Sequence, residues 1–283
     1  MRHTGAGMRP TESKPIGRIA LFVRSFAGGG GAERVMLNLA GAFLDLGLEV
    51  DLVMARAKGH FLDRLPAGVE LVDLRAPPAW LTLGYLATRS PGDARWLLPV
   101  LVSRDAPRVL GAIPKLVDYI DRRKPDVLLS ALNYTNICAL ISAGLSSHEP
   151  HTVISVHNQL SALLGPHGTR RNRLLAKLVP RYFSRADQMV AVSRGVAADF
   201  EHYVPGRRID TIYNPIVDAG LHDAASAYPD HAWLRQKSVP VILGIGKFKP
   251  QKDFSTLLRA FAILHGKRTA RLVILGEGPE RKK

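Results

Sequence analysis

Short apolar runs alternate along this chain with longer segments in which apolar residues recur at helical spacing. The first run, RIALFV at 18–23, is typical of a strand buried on both faces. After it, Val35, Met36, Leu39 and Phe43 recur every three or four residues, which predicts an amphipathic helix. Further strands are predicted at 48–54, 69–74, 126–131, 152–158, 188–193, 208–214, 240–246 and 270–276, and further helices at 114–124, 170–186 and 254–266. This alternation predicts an α/β fold, a doubly wound parallel sheet with helices on both faces.

The alternation is interrupted once, at 215–238, where the sequence is mixed, polar and without a clean period. A strand–helix–strand pattern then restarts at Pro240 and continues to the last residues. We therefore predict a disordered leader at 1–17, a Rossmann-like domain at 18–216, a linker at 217–238 and an incomplete second domain at 239–283.

Composition adds a strong positive charge and one cysteine. The 283 residues carry a formal net charge of +15, which favours anionic partners such as nucleic acid, acidic membranes or phosphorylated substrates. Cys138 is the single cysteine, so a disulfide framework is excluded and a reducing compartment is expected. The polar start of the chain lacks the apolar segment of a secretory signal, which favours a cytoplasmic location.

The longest uncharged run, Val127 to Ser147, is long enough to be tested as a membrane span. Its central NYTN sequence would be costly in lipid, so we predict a strand, a polar turn and a buried helix instead.

Four glycines, Gly28 to Gly31, stand between the first predicted strand and its helix. A glycine turn at this place lets a ligand approach the backbone and directs free N–H groups at an anion. It is neither a G-x-G-x-x-G motif nor a P-loop, and Glu33 in the first helical turn would weaken an anion site. Phosphate or sugar contact and a flexible surface turn both remain open.

Two further candidate sites follow predicted strands. Lys247, Lys249 and Lys252 lie between a strand and a helix, where cations face the ligand crevice of open α/β sheets; a solvated basic loop is the alternative. His157 ends another strand, where it could bind a sugar hydroxyl or transfer a proton; a buried structural histidine is the alternative.

Several motifs together resemble glycosyltransferase family 4. They occur in the family's order: GGGGAERVMLNLA, VISVHN, RADQMVAVSRGVAADF, IDTIYNPIVD, GKFKPQKDF and LVILGEGPER. The resemblance covers the chain from about Arg18 to its end. It implies the GT-B fold of two Rossmann-like domains and retaining transfer of sugar from a nucleotide diphosphate sugar. It also implies a glycan or lipid-linked acceptor.

The resemblance implies roles for individual residues. Gly29, Gly30 and Gly31 match the glycine loop that approaches the donor phosphate and sugar. His157 matches a histidine near the transferred sugar, which we take as the catalytic candidate. Gly246, Lys247 and Lys252 match the donor diphosphate site, whose cations stabilise the leaving group. We therefore expect no metal and no cofactor besides the co-substrate.

Two departures from the family pattern bear on activity. Lys247 stands where the family usually has Arg, so a planar bidentate phosphate contact is lost. The family's paired glutamates, spaced E-x-x-x-x-x-x-x-E, are absent; Glu277 and Glu280 have a different spacing. We interpret the chain as truncated in its second domain, with impaired or absent activity.

Two other classes of function are alternatives to the enzyme. The first is a non-catalytic Rossmann-like binding module. The second is a nucleic-acid-binding protein, but the basic residues are scattered and no RNA-binding signature is present, so we predict no nucleic-acid partner. The basic helix at 170–185 fits an anionic lipid surface better, which would allow peripheral association at the inner face of a membrane; a solvated helix face is the alternative.

Overall fold

The structure is a computed structural model that describes residues 15–27, 30–165, 168–217, 219–235 and 238–282. The chain divides into two compact units, Met1–Ile216 and Val217–Lys283.

Within the described residues, the first unit contains one sheet of seven strands, all parallel to their neighbours. The strand order is β3-β2-β1-β4-β5-β6-β7. The strands are β1 (Arg18–Val23), β2 (Glu49–Met54), β3 (Glu70–Asp73), β4 (Val127–Ala131), β5 (His151–Val156), β6 (Gln188–Ala191) and β7 (Ile209–Thr211). The predicted parallel α/β sheet is confirmed.

Helices cover both faces of this sheet. They are α1 (Gly31–Asp45), α2 (Thr82–Arg89), α3 (Pro91–Leu101), α4 (Ile113–Arg123), α5 (Asn133–Leu145), α6 (Leu160–Leu164), α7 (Arg170–Phe183) and α8 (Arg194–Glu201). Alternate residues of β1 enter different clusters: Leu21 packs in one core and Phe22 in the other, both fully buried. Such alternation follows from the two-residue period of a strand and explains why β1 is apolar throughout.

The uncharged run is divided between β4 and α5, as predicted. Nine of the thirteen residues of α5 are buried, among them Ile137, Cys138 and Ile141. Among the described residues, no helix combines the length and the apolar character that crossing a bilayer requires. The hydrophobicity of this run therefore serves the protein core.

The helices α2 and α3 received no prediction from the sequence. Their apolar residues are separated by Ser90 and Pro91, which end one helix and begin the next. Leu86 of α2 and Leu97 of α3 are fully buried in the larger core. Tertiary packing therefore orders a segment whose local pattern was ambiguous.

A buried carboxylate connects the strands near their amino ends. Asp51 of β2 is 1% exposed, and the Tyr119 hydroxyl donates a hydrogen bond to it at 2.6 Å. Arg123 donates from Nε and Nη2 at 3.2 and 3.1 Å, and Arg18 donates from Nη1 at 3.3 Å. Asp51 therefore joins β1, β2 and α4 through one charged group.

The pKa of Asp51 reflects these partners. Burial by itself would raise the pKa of this carboxyl group, but the hydrogen bonds from Arg123 and Tyr119, and the charges of Arg123 and Arg18, hold it below its usual value. Each arginine also pairs with an outer glutamate, Arg18 with Glu49 and Arg123 with Glu70.

The second unit pairs β8 (Val241–Ile245) in parallel with β9 (Arg271–Leu275). Helix α11 (Phe254–His265) lies between them in sequence, as predicted. The segment predicted as a linker contains two short helices, α9 (Ala219–Ala225) and α10 (Ala232–Arg235).

Little apolar surface is buried in this second unit. Among its described side chains, Ala270 is the one that counts as a buried hydrophobic residue. Leu243, Ile245 and Leu275 are exposed by 48, 71 and 50%. Two strands, one longer helix and two short helices provide only a small core.

We expect Asp51→Asn to lower the free energy of unfolding by about 3 kcal/mol at pH 7, because two half-buried arginines lose the charged acceptor that they share inside the protein. Because the folded-state pKa of Asp51 lies below the unfolded value of about 4, this difference should shrink as the pH falls below about 4. Urea unfolding followed by circular dichroism measures both effects.

The control for this variant is Asp63→Asn, which removes an exposed carboxylate. It should change stability by no more than about 0.5 kcal/mol. Equal stabilities of the two variants at pH 7 would contradict a structural role for the Asp51 charge.

Candidate functional site

The sheet of the first unit has a crevice where its strand order reverses. The strand β1 pairs with β2 on one side and with β4 on the other. The connection after β1 leads to β2, whereas the connection after β4 leads to β5 on the opposite side. Diverging connections leave a gap above the carboxyl ends of β1 and β4, which is where open α/β sheets bind ligands.

A cavity of about 560 Å³ occupies this position. Its walls come from the loops after β1, β2, β3 and β4, from the segment before α4 and from α5, α6 and α7. The lining residues are Arg24, Ser25, Ala27, Ala55, Arg56, Lys58, Ala76, Ala106, Pro107, Arg108, Val109, Leu132, Asn133, Tyr134, Thr135, Leu163, Arg171, Asn172 and Leu175.

Backbone contacts hold the loops after β1 and β2 together. The amide of Arg56 donates to the Arg24 carbonyl at 3.1 Å, and the amide of Phe26 donates to the Lys58 carbonyl at 2.8 Å. Gly59 has φ +123°, and a Cβ there would lie 2.1 Å from the carbonyl carbon of Phe26. Only glycine allows this approach, so it fixes one wall of the cavity.

The opposite wall begins with a strained residue. Leu132, directly after β4, has φ 77° and ψ 143°, a conformation rare for any residue except glycine. Its amide donates to the Ser155 carbonyl at 3.3 Å, which ties the turn to β5. Tyr134 donates through its hydroxyl to the Arg171 carbonyl at 3.1 Å, and burial raises its pKa to about 12. The Tyr134 hydrogen bond joins α5 to α7 beside the cavity.

The glycine run is described in part. Gly28 and Gly29 lie outside the described residues. Gly30 caps α1 and Gly31 begins it, and a Cβ on either would meet no atom within 4 Å. The Glu33 carboxylate accepts a hydrogen bond from the Gly30 amide at 3.3 Å, so it occupies one donor that an anion could use.

His157 follows β5 at the same edge of the sheet but does not line the cavity. Its Nε2 shares a hydrogen bond with Ser155 Oγ at 3.1 Å. Burial lowers the pKa of His157 to about 4, because desolvation disfavours the imidazolium form. The ring is therefore neutral near pH 7 and suits hydrogen bonding better than proton donation.

In the second unit, Gly246, Lys247 and Lys252 lie at the carboxyl end of β8. A Cβ at Gly246 would lie 3.5 Å from Cγ and Cδ of Lys252, so the lysine stem packs close to this glycine. A Cβ at Gly276, after β9, would meet the Gly246 carbonyl oxygen at 1.9 Å. The loops after β8 and β9 therefore form one compact rim that carries both lysines.

No metal site is evident in the described ranges, where no group of three or more His, Cys, Asp or Glu side chains could hold an ion. The expectation of metal-free chemistry stays a prediction, as do the binding roles of the glycines, His157, Lys247 and Lys252.

Five cations line the cavity, and the sequence predicted none of them as a residue of this site. Arg24 directly follows β1 and Arg56 is the second residue after β2, positions that could have identified them. Loops bring Lys58 and Arg108 to the cavity, and no local pattern marks them. Arg171 belongs to the basic helix at 170–185, which the sequence pattern singled out for contact with a lipid surface and not for this cavity.

Comparison with known families gives one match. The model described as Glycosyltransferase Family 4 matches residues 29–219, more than half of the chain. A search of curated proteins finds no match to the sequence.

Solved structures share the fold at low identity. A sucrose-phosphate synthase from Thermosynechococcus elongatus has a TM-score of 0.60 at 14% identity, over 94% of this chain and 64% of that one. The lipopolysaccharide outer core galactosyltransferase WaaB, in its apo form, has a TM-score of 0.54 at 14% identity, and the match covers 94% of this chain and 62% of that one. An α-glucosyltransferase in complex with UDP-glucose and DNA containing an abasic site has a TM-score of 0.50 at 15% identity, and the match covers 92% of this chain and 57% of that one. The predicted GT-B-like fold class is confirmed, and the chain spans less than two thirds of the length of these three relatives.

We expect Gly59→Ala to destabilise the protein more than Gly47→Ala, by at least about 1 kcal/mol. Both glycines have positive φ, but a Cβ at Gly47 would meet nothing within 4 Å, whereas at Gly59 it would strike the Phe26 backbone. Urea unfolding of the two variants measures the difference. Equal losses of stability in the two variants would show that the loops after β1 and β2 can move apart at no cost in free energy.

His157→Gln should change how stability depends on pH. In the wild type, the unfolded histidine takes up a proton below about pH 6.5 while the folded one stays neutral to about pH 4, so acidification favours unfolding across this window. We expect the wild type to lose on the order of 2 kcal/mol relative to the variant between these pH values.

Urea unfolding at several pH values tests this, with His60→Gln as the control because His60 is exposed. The control should keep the wild-type pH dependence. Parallel curves for the wild type and His157→Gln would contradict a buried neutral imidazole.

Proposed function

Because the chain belongs to glycosyltransferase family 4, we propose that it acts in transferring a sugar from a nucleotide diphosphate sugar to a glycan or lipid-linked acceptor, with retention of configuration. The family match over residues 29–219 carries the proposal. The cavity at the strand-order reversal supports it, since it offers about 560 Å³ for an acceptor in the first unit.

The second unit supplies the proposed donor site. Lys247 and Lys252 are assigned to the diphosphate, with Gly246 allowing close approach. Negative charge grows on the diphosphate as the glycosidic bond breaks, and fixed cations stabilise that charge. This role needs no metal ion. The compact rim formed with the loop after β9 supports the assignment because it would hold the lysines in place.

In the first unit, we assign Gly29, Gly30 and Gly31 to the approach of the donor phosphate and sugar. The open space beside Gly30 and Gly31 supports this role. His157, neutral near pH 7, is assigned to a hydrogen bond with a hydroxyl of the transferred sugar.

The proposed location is the cytoplasm, with peripheral association at the inner face of a membrane. A groove between α3 and α7 supports this association. It is lined by Trp96, which is 45% exposed, together with Arg95 and Lys177. An aromatic ring flanked by cations suits the interface of an anionic bilayer.

The alternative function is a non-catalytic binding module. An assay for release of nucleotide from UDP- or GDP-sugars distinguishes the glycosyltransferase from the binding module, because a binding module would leave these donors intact. The absence of the paired-glutamate motif leads us to expect slow or undetectable release by these 283 residues. Rapid release would contradict that expectation and establish the enzyme.

The predicted absence of a nucleic-acid partner remains part of the proposal. A complex with duplex DNA that tightens steeply at low salt would contradict it.

Lys252→Gln should weaken binding of UDP or GDP by about 10- to 100-fold, because one hydrogen bond to a charged phosphate is worth about 1.5–3 kcal/mol. Lys267→Gln is the control, because it removes an exposed lysine of the same unit between α11 and β9, and it should bind as the wild type does. Isothermal titration calorimetry gives both dissociation constants. Equal weakening by the two variants, or no nucleotide binding by the wild-type chain, would contradict the proposed donor site.

A further inference from the structure

We infer that the cavity at the strand-order reversal binds a phosphate group, and that the acceptor is therefore a phosphorylated sugar or a lipid with a phosphate headgroup. This inference rests on the proposed function, because it assigns the acceptor to this cavity.

The charge of the cavity wall has one sign. Its lining includes five cationic side chains, and none of the described residues that line it is Asp or Glu. In the part of the chain that the structure describes, none of these cations forms an ion pair. The cations are Arg24, Arg56, Lys58, Arg108 and Arg171. A neutral glycan would leave their repulsion uncompensated, whereas a phosphate would compensate it.

Two of these cations are already oriented. Arg56 donates from Nε to the Ala76 carbonyl at 3.1 Å, which leaves both terminal nitrogens of its guanidinium available. Arg171 donates from Nη1 to the Asp105 carbonyl at 3.4 Å. A guanidinium held in this way can bind two phosphate oxygens with less loss of side-chain entropy.

The rest of the wall suits the remainder of such an acceptor. Leu163, Leu175 and Val109 provide apolar surface, and the polar residue Asn133 belongs to the same lining. Apolar walls with a few polar groups are typical of small-molecule sites, and sugar rings present both kinds of surface.

A neighbouring groove distinguishes the two sources of phosphate. A second cavity, of about 580 Å³, shares Arg56 and Arg108 with the first and is lined also by Trp80 and Val102. These two side chains are 60 and 62% exposed. A membrane lipid would use this apolar groove together with the arginines, whereas a soluble phosphorylated sugar would need the arginines alone.

The test compares two double variants that remove equal charge. Arg56→Gln with Arg108→Gln changes the cavity, and Arg64→Gln with Arg122→Gln changes exposed arginines that do not line it. Each is titrated with glucose 6-phosphate, with glucose, and with vesicles of phosphatidylcholine containing either 20% phosphatidic acid or none. Trp80→Ala is measured with the vesicles.

We expect the wild type to bind at least one phosphate probe and neither glucose nor neutral vesicles. The cavity variant should bind that probe at least tenfold more weakly, and the control variant should match the wild type. Sensitivity to Trp80→Ala would assign the phosphate to a lipid; binding of glucose 6-phosphate without preference for anionic vesicles would assign it to a soluble sugar.

Three results would overturn the inference. The first is that the wild type binds neither phosphate probe. The second is that the two double variants weaken binding equally. The third is that duplex DNA binds more tightly than either probe and that the cavity variant weakens this DNA binding. Failure of the proposed function is distinguished by UDP and GDP titration. Nucleotide binding that depends on Lys252 would survive a failed phosphate test, and a cavity that binds phosphate would survive a failed nucleotide test.

Discussion

The parallel direction of all the described strands in the first unit is the constraint on which its site depends. Because β1 pairs in parallel on both sides, the chain leaves β1 and β4 at the same edge of the sheet and then turns in opposite directions. No single residue creates the resulting crevice. Close contacts such as that between Gly59 and Phe26 then shape its wall. A reversed strand would move its following loop to the other edge and dismantle the site.

The two edges of this sheet use arginine in different ways. Near the amino ends, Arg18 and Arg123 surround Asp51, and each also pairs with an outer glutamate. These charges are compensated within the protein and join structural elements. At the carboxyl ends, Arg24 and Arg56 have no described carboxylate partner and line a cavity. The net charge of +15 therefore points to a ligand site at the carboxyl ends of the strands, where the positive charge of the arginines is compensated by a ligand or by solvent.

The second unit contributes the rim formed by the loops after β8 and β9, and its described residues form no large apolar core. Its two described strands expose much of their apolar surface, yet the loops after β8 and β9 are in close backbone contact. The amide of Phe248 donates to the Glu277 carbonyl at 2.9 Å, and the amide of Glu280 donates to the Phe248 carbonyl at 3.2 Å. Local backbone order around Lys247 and Lys252 thus does not require extensive burial of side chains in the same unit.

The sequence by itself determined the strands of both units, the helices α1, α4, α5, α7 and α11, and the family, because strand and helix periods and short motifs are local properties. It also placed His157 and Lys247 after strands. Only the tertiary structure decided that α2 and α3 are helices and that Arg56, Arg108 and Arg171 share one cavity. The physical reason is distance along the chain: these residues meet through strand order and loop packing, which act between segments far apart in sequence.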